Sequence, residues 1–233
     1  MGADGHATAV PKPGEATLRD LFAHEGMRAV ILIWSPMILI LFAGALLTAS
    51  SVWTVLAGLA YGLFVYSFME YVTHRWLYHW EPRQRLWRAL NARLGPPHLR
   101  HHEKPTHYRG AIMLNQLPIV AIMLACLGGL LLLPVPLAFS FAAIGIGSLG
   151  FVVHEGVHFG CHQMAMRNPV AAYLKRRHLF HHYRDDNFNF GTTSPLWDIV
   201  LGTNYVPGRT SRAKAFGRSR ATEPAAEARD EAA

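Results

Sequence analysis

The chain has 233 residues, of which 51% are hydrophobic and 16% are charged, whereas an average soluble domain is about 25% charged. Its mean hydropathy is +0.15, and 22 basic against 15 acidic residues give a net charge of +7. This composition excludes a disordered chain and a collagen-like repeat, and two cysteines are too few for a disulfide framework.

Four apolar stretches without a charged residue follow one another along the chain. About 20 such residues cross the hydrocarbon core of a bilayer, so each stretch is predicted to be a transmembrane helix. Two short turns, at residues 50–51 and 134–136, join the four helices into two hairpins. The predicted helices cover residues 29–49, 52–69, 111–133 and 137–153.

The predicted fold is therefore an all-α, multi-pass membrane protein with four transmembrane helices in two hairpins. A single domain is expected over residues 29–207. It is preceded by a cytoplasmic N-terminal tail at 1–28 and followed by a disordered tail at 208–233. The outer parts of both tails are rich in Ala, Gly, Pro and charged residues, which is typical of segments that form no core.

The positions of the Lys and Arg side chains predict the orientation in the membrane. Both hairpin turns lack them, and all 22 lie in residues 1–28, 75–109 and 167–233. Since cytoplasmic segments are enriched in Lys and Arg, both termini and the loop 70–110 are predicted to be cytoplasmic. We expect a bacterial inner membrane, or the endoplasmic reticulum membrane in a eukaryote. The positive charge suits anionic lipid, and no nucleic-acid partner is expected.

Histidine is unusually frequent, with 14 residues, and most of them cluster at or beyond the ends of the second and fourth predicted helices. In HLRHH and HLFHH the spacing places three imidazoles on one face of a helix. Histidines four residues apart in HEGVHFGCH share a face in the same way. All clusters are expected in a helical cap on the cytoplasmic side. They are His74 and His79; His98, His101 and His102; His154, His158 and His162; and His178, His181 and His182.

The pair in HRWLYH needs a different arrangement, because residues five apart lie about 140° from each other on an ideal helix. His74 and His79 converge only if the helix ends or bulges between them, or if they approach the metal from different sides. Around ten imidazoles exceed the about four to six ligands that one ion takes, so a site for two metal ions is predicted. Imidazole binds Fe, Zn, Cu and Ni, and the spacing does not choose among them.

Together these boxes resemble the fatty acid hydroxylase/sterol desaturase family of membrane di-iron enzymes. The resemblance covers roughly residues 70–203 and rests on EYVTHRWLYH, HLRHH, HLFHH, the ExxHxxxH pattern in HEGVHFGCH, and NFGTTSPLWDIVLGT. It implies two iron ions that activate O2, the cosubstrate, for attack on an unactivated C–H bond of a membrane lipid, above all a fatty acyl chain. It also implies a separate electron donor, a ferredoxin or a haem carrier with its reductase. Zinc is expected to replace iron in some of the purified protein.

The same resemblance assigns ligand roles to ten histidines. His154 is an eleventh candidate ligand, because a carotenoid hydroxylase register would use His154 with His158. Glu155, which is expected to orient a neighbouring imidazole, and Asn187 are the candidate catalytic residues. The ten ligands are His74, His79, His98, His101, His102, His158, His162, His178, His181 and His182.

Two kinds of alternative stay open. Within the resemblance, the reaction is hydroxylation or desaturation, and the substrate is an acyl chain, a sterol or a carotenoid. Outside it, HEGVH satisfies the HExxH pattern of zinc hydrolases, in which two histidines bind zinc and the glutamate activates water. An intramembrane zinc protease would use His154, Glu155 and His158. That hypothesis leaves His74, HLRHH and HLFHH unexplained.

Overall fold

The structure is a computed structural model that describes residues 10–79, 85–86, 98–112 and 116–207. Within these ranges the chain is helical and contains no strand, apart from an isolated bridge between Ala16 and Met164. The all-α prediction is therefore confirmed. Residues 1–9 and 208–233, which belong to the predicted tails, lie outside the described residues.

Two long helical hairpins and several short helices follow one another along the chain. A π-helix, Thr73–Tyr78, continues the third α-helix, and a short 3-10 helix, Tyr108–Gly110, follows the fourth. The α-helices are α1 (Leu18–Ala23), α2 (Glu25–Leu47), α3 (Val52–Val72), α4 (His98–Glu103), α5 (Leu117–Leu131), α6 (Leu137–Gln163), α7 (Pro169–Tyr183) and α8 (Leu196–Val200).

In the described part of the chain, three helices are long and apolar enough to cross a membrane: α2, the continuous helix Val52–Tyr78, and α6. In contrast, the 15 residues of α5 measure about 22 Å at 1.5 Å per residue, less than the roughly 30 Å of a hydrocarbon core. Of the predicted span at 111–133, the helix covers Leu117–Leu131, and the buried side-chain oxygen of Gln116, just before it, accepts a hydrogen bond from Trp34 Nε1 (3.1 Å). That α5 forms the fourth transmembrane helix therefore remains a prediction.

The second and fourth predicted helices end later than hydropathy indicated. α6 continues past residue 153 to Gln163, and the helix that begins with α3 continues through the π-helix to Tyr78. Histidine and glutamate lower the hydropathy of these ends, but neither breaks a helix. In both helices, the apolar part therefore continues into a polar end that carries histidines, and no loop separates the two parts.

α3 and α6 pack backbone to backbone over their apolar lengths. A Cβ atom at Gly58 would lie 2.5 Å from the carbonyl oxygen of Phe139, and one at Gly62 would lie 2.2 Å from that of Ala143. Only glycine fits at such distances, and close approach through small residues is common between membrane helices. This contact fixes the helices that carry HRWLYH and HEGVHFGCH side by side.

Residues 14–27, which were predicted to be tail, pack against the end of α6. Two backbone N–H groups of this segment donate to the carbonyl of Gln163, at 2.9 and 3.0 Å. His24 caps α2, because its Nδ1 accepts a hydrogen bond from the backbone N–H of Gly26 (3.0 Å). Its Nε2 donates to the carbonyl of Tyr108 (2.9 Å). The N-terminal segment is thus joined both to α6 and to the loop after α4.

Candidate metal centre

Ten of the eleven candidate histidines come together in two groups of five. Within each group, one ring nitrogen per residue lies within 4.8 Å of every other. The groups adjoin, since the rings of His102 and His182, one from each, stack with centroids 4.0 Å apart. The His74 group consists of His74, His79, His98, His102 and His181, and the His158 group consists of His101, His158, His162, His178 and His182.

Each HxxHH box serves both groups. From HLRHH in α4, His98 and His102 join the His74 group and His101 joins the His158 group. HLFHH in α7 is divided in the opposite sense, with only its i+3 residue, His181, in the His74 group. Residues i and i+4 lie nearly one above the other on a helix, whereas residue i+3 is turned aside, so one box faces two sites. Both groups are therefore built from the same parts: an i, i+4 pair, one residue of the other box, and two residues of a long helix.

The π-helix brings His74 and His79 together. In a π-helix the hydrogen bonds join residues five apart, so residues at this spacing come onto one side of the helix. The two imidazole rings have centroids 5.3 Å apart and planes inclined by 29°. The bulge that the spacing of HRWLYH required is therefore present.

The distances between ring nitrogens fit one metal ion in each group. Two nitrogens bound at right angles to an ion, each about 2.1 Å away, lie about 3.0 Å apart. The Nε2 atoms of His74 and His98 lie 2.9 Å apart. In the other group, the Nε2 atoms of His101 and His178 lie 3.0 and 2.9 Å from that of His162. Among the described residues both groups consist of imidazole alone, a donor set that suits Fe, Zn, Cu or Ni rather than Mg or Ca.

Burial keeps the imidazoles outside the spanning helices neutral. Desolvation lowers the pKa of His79 and that of His101 to about 4, and desolvation together with neighbouring imidazoles lowers the pKa of His102 to about 3. The pKa values of His178 and His181 are lowered for the same two reasons. A neutral imidazole has a lone pair for a metal, so these side chains are in their metal-binding form at neutral pH.

Backbone carbonyls orient two rings of the His74 group. Nδ1 of His74 donates to the carbonyl of Phe190 (2.5 Å), and Nδ1 of His181 donates to the carbonyl of Phe188 (2.7 Å). Because the proton is held on Nδ1, the lone pair of each ring is on Nε2, the atom that faces the other ligands.

His154 lies outside both groups. Its Nδ1 donates to Oε1 of Glu70 (2.9 Å), and its ring is parallel to that of His158, with centroids 5.9 Å apart. Glu70 is buried and also accepts hydrogen bonds from the backbone N–H (2.9 Å) and the hydroxyl (2.5 Å) of Thr193. His154 is therefore part of a junction between α3, α6 and the segment after α7.

The two candidate catalytic residues are also outside the ligand groups. Glu155 is buried on α6. Asn187 lies in the turn after α7, where its side-chain N–H group donates to Oδ1 of Asp185 (2.8 Å) and to Oδ1 of Asp186 (3.3 Å). Their catalytic roles remain predictions.

Sequence reasoning missed one buried acid near the ligands, Asp198 in α8. Its side chain is fully buried and accepts hydrogen bonds from the backbone N–H groups of Phe190 (2.9 Å) and Gly191 (2.8 Å). The residue lies in NFGTTSPLWDIVLGT, a segment noted only for its resemblance to the family. The signal available in the sequence was a single acid inside the apolar segment LWDIV.

Comparison with known proteins covers the whole of this site. A family model described as "Fatty acid hydroxylase" matches residues 59–203. The dihydroceramide fatty acyl 2-hydroxylase FAH1 of Arabidopsis thaliana is 29% identical over 180 residues, which are 75% of this chain and 72% of that protein. The ceramide very long chain fatty acid hydroxylase SCS7 of Saccharomyces cerevisiae is 33% identical over 149 residues, which are 63% of this chain but only 37% of that protein.

A solved structure gives the same result. It is described as full-length scs7p with only the hydroxylase domain visible, and it superposes on this chain with a TM-score of 0.68 and 28% sequence identity. The superposition covers 83% of this chain and 72% of that one. The likeness therefore extends beyond the histidine boxes to the arrangement of the helices.

Proposed function

Because this chain belongs to the fatty acid hydroxylase family, we propose that it is a membrane-bound hydroxylase that uses O2 and two iron ions to oxidise a fatty acyl chain in lipid biosynthesis. The observation that carries the proposal is the pair of adjoining five-imidazole groups. Ten donor nitrogens in two groups suit two ions, and the family match over residues 59–203 includes every one of them.

The protein's own part in this chemistry is to hold and orient the ligands. Iron bound in the two groups would supply the activation of O2 that an unactivated C–H bond requires. His74 and His181 keep their protons on Nδ1, so that their Nε2 lone pairs are free for the metal. His178 and His181 are almost completely buried, which keeps bulk water from their side of the site. Imidazole also binds zinc, so part of the purified protein is expected to carry zinc in place of iron.

The proposed substrate is an acyl chain of a membrane lipid, and the proposed position of hydroxylation is carbon 2. The support comes from the relatives, one of which is a dihydroceramide fatty acyl 2-hydroxylase and another a ceramide very long chain fatty acid hydroxylase. The histidine groups lie at the ends of helices of membrane length, so the lipid is proposed to enter laterally from the bilayer. Electrons are proposed to come from a separate ferredoxin, or from a haem carrier with its reductase.

The experiment is expression in a host that lacks the activity, followed by lipid extraction and mass spectrometry. We expect acyl chains that carry one additional hydroxyl group, whose oxygen derives from labelled O2, and no such product under nitrogen. A host that expresses His181→Ala at the same level serves as the control. A new double bond in place of the hydroxyl group would favour desaturation, and product that forms without O2 would contradict an oxygenase.

The zinc-hydrolase alternative has less support. It requires His154 and His158 as ligands of one ion, but His154 is outside both groups, and its ring lies parallel to that of His158 with the centroids 5.9 Å apart. It also gives no role to the His74 group. Sterol and carotenoid substrates remain alternatives within the family, and no contact among the described residues favours either.

We also propose that the ligand groups and both termini face the cytoplasm, in a bacterial inner membrane or an endoplasmic reticulum membrane. The ends of α3 and α6 meet at the adjoining histidine groups, so both helices reach the same side of the bilayer. The chain must then cross the membrane once between these helices. Among the described residues in that interval, α5 is the apolar helix available for the crossing, although it is short.

Reporter fusions test this orientation. Fusions at Ser51 and Val135 are expected to read non-cytoplasmic, whereas fusions at Lys104 and at the C-terminus are expected to read cytoplasmic, because Lys and Arg are concentrated on that side. A cytoplasmic signal at Val135, together with a non-cytoplasmic one at Ser51, would show that α5 does not cross and would contradict the proposed topology.

A further inference from the structure

The two ligand groups differ in how their rings are held. In the His74 group, two rings are fixed by carbonyls of residues 188–191, here named the carbonyl turn. In the His158 group, His158 donates from Nδ1 to the carbonyl of Ala111 (3.0 Å). Within the described part of the chain, the Nδ1 atoms of the other rings in that group are buried without a hydrogen-bond partner. These rings are His101, His162, His178 and His182.

Asp198 holds the carbonyl turn in place. Its Oδ1 accepts a hydrogen bond from the backbone N–H of Phe190 (2.9 Å), and its Oδ2 accepts one from the backbone N–H of Gly191 (2.8 Å). These N–H groups belong to the two peptide groups that flank the Cα atom of Phe190, and the second peptide group contains the Phe190 carbonyl, so one side chain fixes both. The exposed fraction of Asp198 is 0%, so water does not compete for these bonds. Hydrogen bonds to a charged acceptor are about twice as strong as neutral ones.

The same carboxylate reaches the helices that carry the ligands. Oδ2 also accepts a hydrogen bond from Nη2 of Arg177 in α7 (2.8 Å), and Oδ1 accepts one from Oγ1 of Thr203 (2.7 Å). The hydroxyl of Thr203 lies 3.0 Å from that of Tyr71 on α3. Asp198 therefore links the carbonyl turn both to the helix of His181 and to the helix that leads into His74.

We propose that Asp198 is a positioning residue that makes the His74 group the tighter of the two metal sites. The inference rests on the proposed function, which assigns one ion to each group. A ring held by an acceptor at Nδ1 has already lost the rotational freedom that metal binding removes, whereas an unpartnered ring must be ordered by the ion itself. Asp198 acts through the carbonyl of Phe190 and is not a ligand of the metal.

The variant Asp198→Asn isolates this role. It keeps the shape of the side chain but removes the charge and replaces one acceptor oxygen with a donor N–H group. In either orientation of the amide that group meets a backbone N–H of the carbonyl turn, that of Phe190 or that of Gly191, so the turn loses its position. We expect the affinity of the tighter site to fall at least tenfold, since losing the outer partners of metal ligands costs about 10–100-fold. The weaker site is expected to change by less than about twofold.

The test uses the full chain in detergent, stripped of metal by a chelator and titrated with Co2+ alone while absorption reports each ion that binds. The wild-type chain is expected to bind two ions whose affinities differ at least about tenfold. His178→Ala removes a ligand of the His158 group and should abolish the weaker event, which identifies each site. Thr192→Val is the matched control beside the carbonyl turn. Its buried hydroxyl has no partner among the described residues, so both affinities should stay unchanged.

Selective weakening of the tighter site in Asp198→Asn supports the inference. Equal affinities in the wild type, or equal losses at both sites in Asp198→Asn, would overturn it, because a merely structural residue weakens both. A loss of the same size in Thr192→Val would overturn it too. If Asp198→Asn does not fold, Thr203→Val takes its place: selective loss at the tighter site supports the inference, and equal loss or no change overturns it. A wild-type chain that binds no Co2+ would contradict the proposed function itself.

Discussion

His74→Ala is expected to lower lipid hydroxylation at least about 100-fold and to leave one bound ion per chain instead of two. His74 is buried, its Nε2 lies 2.9 Å from Nε2 of His98, and its Nδ1 is fixed by the carbonyl of Phe190. Alanine removes one of the five donor nitrogens of the His74 group. Metal content by elemental analysis and product formation by mass spectrometry measure the two effects in one preparation.

Glu155→Gln is the matched comparison for that variant. Glu155 is buried on α6 but outside both ligand groups, so we expect two bound ions and partial activity. Glutamine still accepts one hydrogen bond, which is enough to orient a neighbour but not to take a proton from water. A zinc hydrolase would show the reverse, with Glu155→Gln inactive and His74→Ala fully active. That outcome, with activity that persists without O2, would contradict the oxygenase.

Gly62→Val is expected to destabilise the fold by about 3 kcal/mol or more, because overpacking of a close contact has costs of this order. The added Cβ atom would lie 2.2 Å from the carbonyl oxygen and 2.7 Å from the Cα atom of Ala143, and backbone atoms cannot turn away as a side chain can. α3 and α6 would have to separate. Thermal unfolding in detergent measures the loss of stability, and the metal content should fall with it.

Gly128→Val on α5 is the control for this substitution. A Cβ atom at Gly128 has nothing within 4 Å, so the change adds the same side chain to open space. We expect its unfolding free energy to stay within about 0.5 kcal/mol of the wild-type value. Similar losses in the two variants would contradict the close packing of α3 against α6.

The histidine spacing predicted a site built from the four histidine clusters, but it did not predict how the histidines are divided between the two ligand groups. The i, i+3, i+4 pattern placed the three histidines of each HxxHH box together, whereas in the structure the i and i+4 residues serve one group and the i+3 residue serves the other. It did not indicate that His101 and His181 each belong to a different ligand group from the other two histidines of their box. That division depends on how α4 and α7 are turned toward each other. His74 and His79 required a bulge, and the π-helix supplies it.

Long-range contacts account for most of what the sequence did not predict. The packing of residues 14–27 depends on hydrogen bonds to Gln163, far away in the chain, and nothing in the local composition indicates them. The burial of Asp198 likewise depends on donors from α7 and from the carbonyl turn. Hydropathy set the end of the fourth predicted helix at residue 153, whereas the helix itself continues to Gln163 because its polar residues are good enough helix formers.

The length of α6 has a consequence for which carbon of a lipid is within reach. The helix begins at Leu137, next to a hairpin turn, and at 1.5 Å per residue it reaches His158 after about 32 Å. A hydrocarbon core is about 30 Å thick, so in the proposed membrane arrangement this histidine would lie at the depth where acyl chains join their headgroups. A lipid that keeps its normal depth therefore presents the carbons beside its carbonyl group, while its terminal methyl group stays near the bilayer midplane. For the proposed hydroxylase, this register of a single helix against the membrane surface would favour oxidation at carbon 2 over oxidation in the middle of the chain.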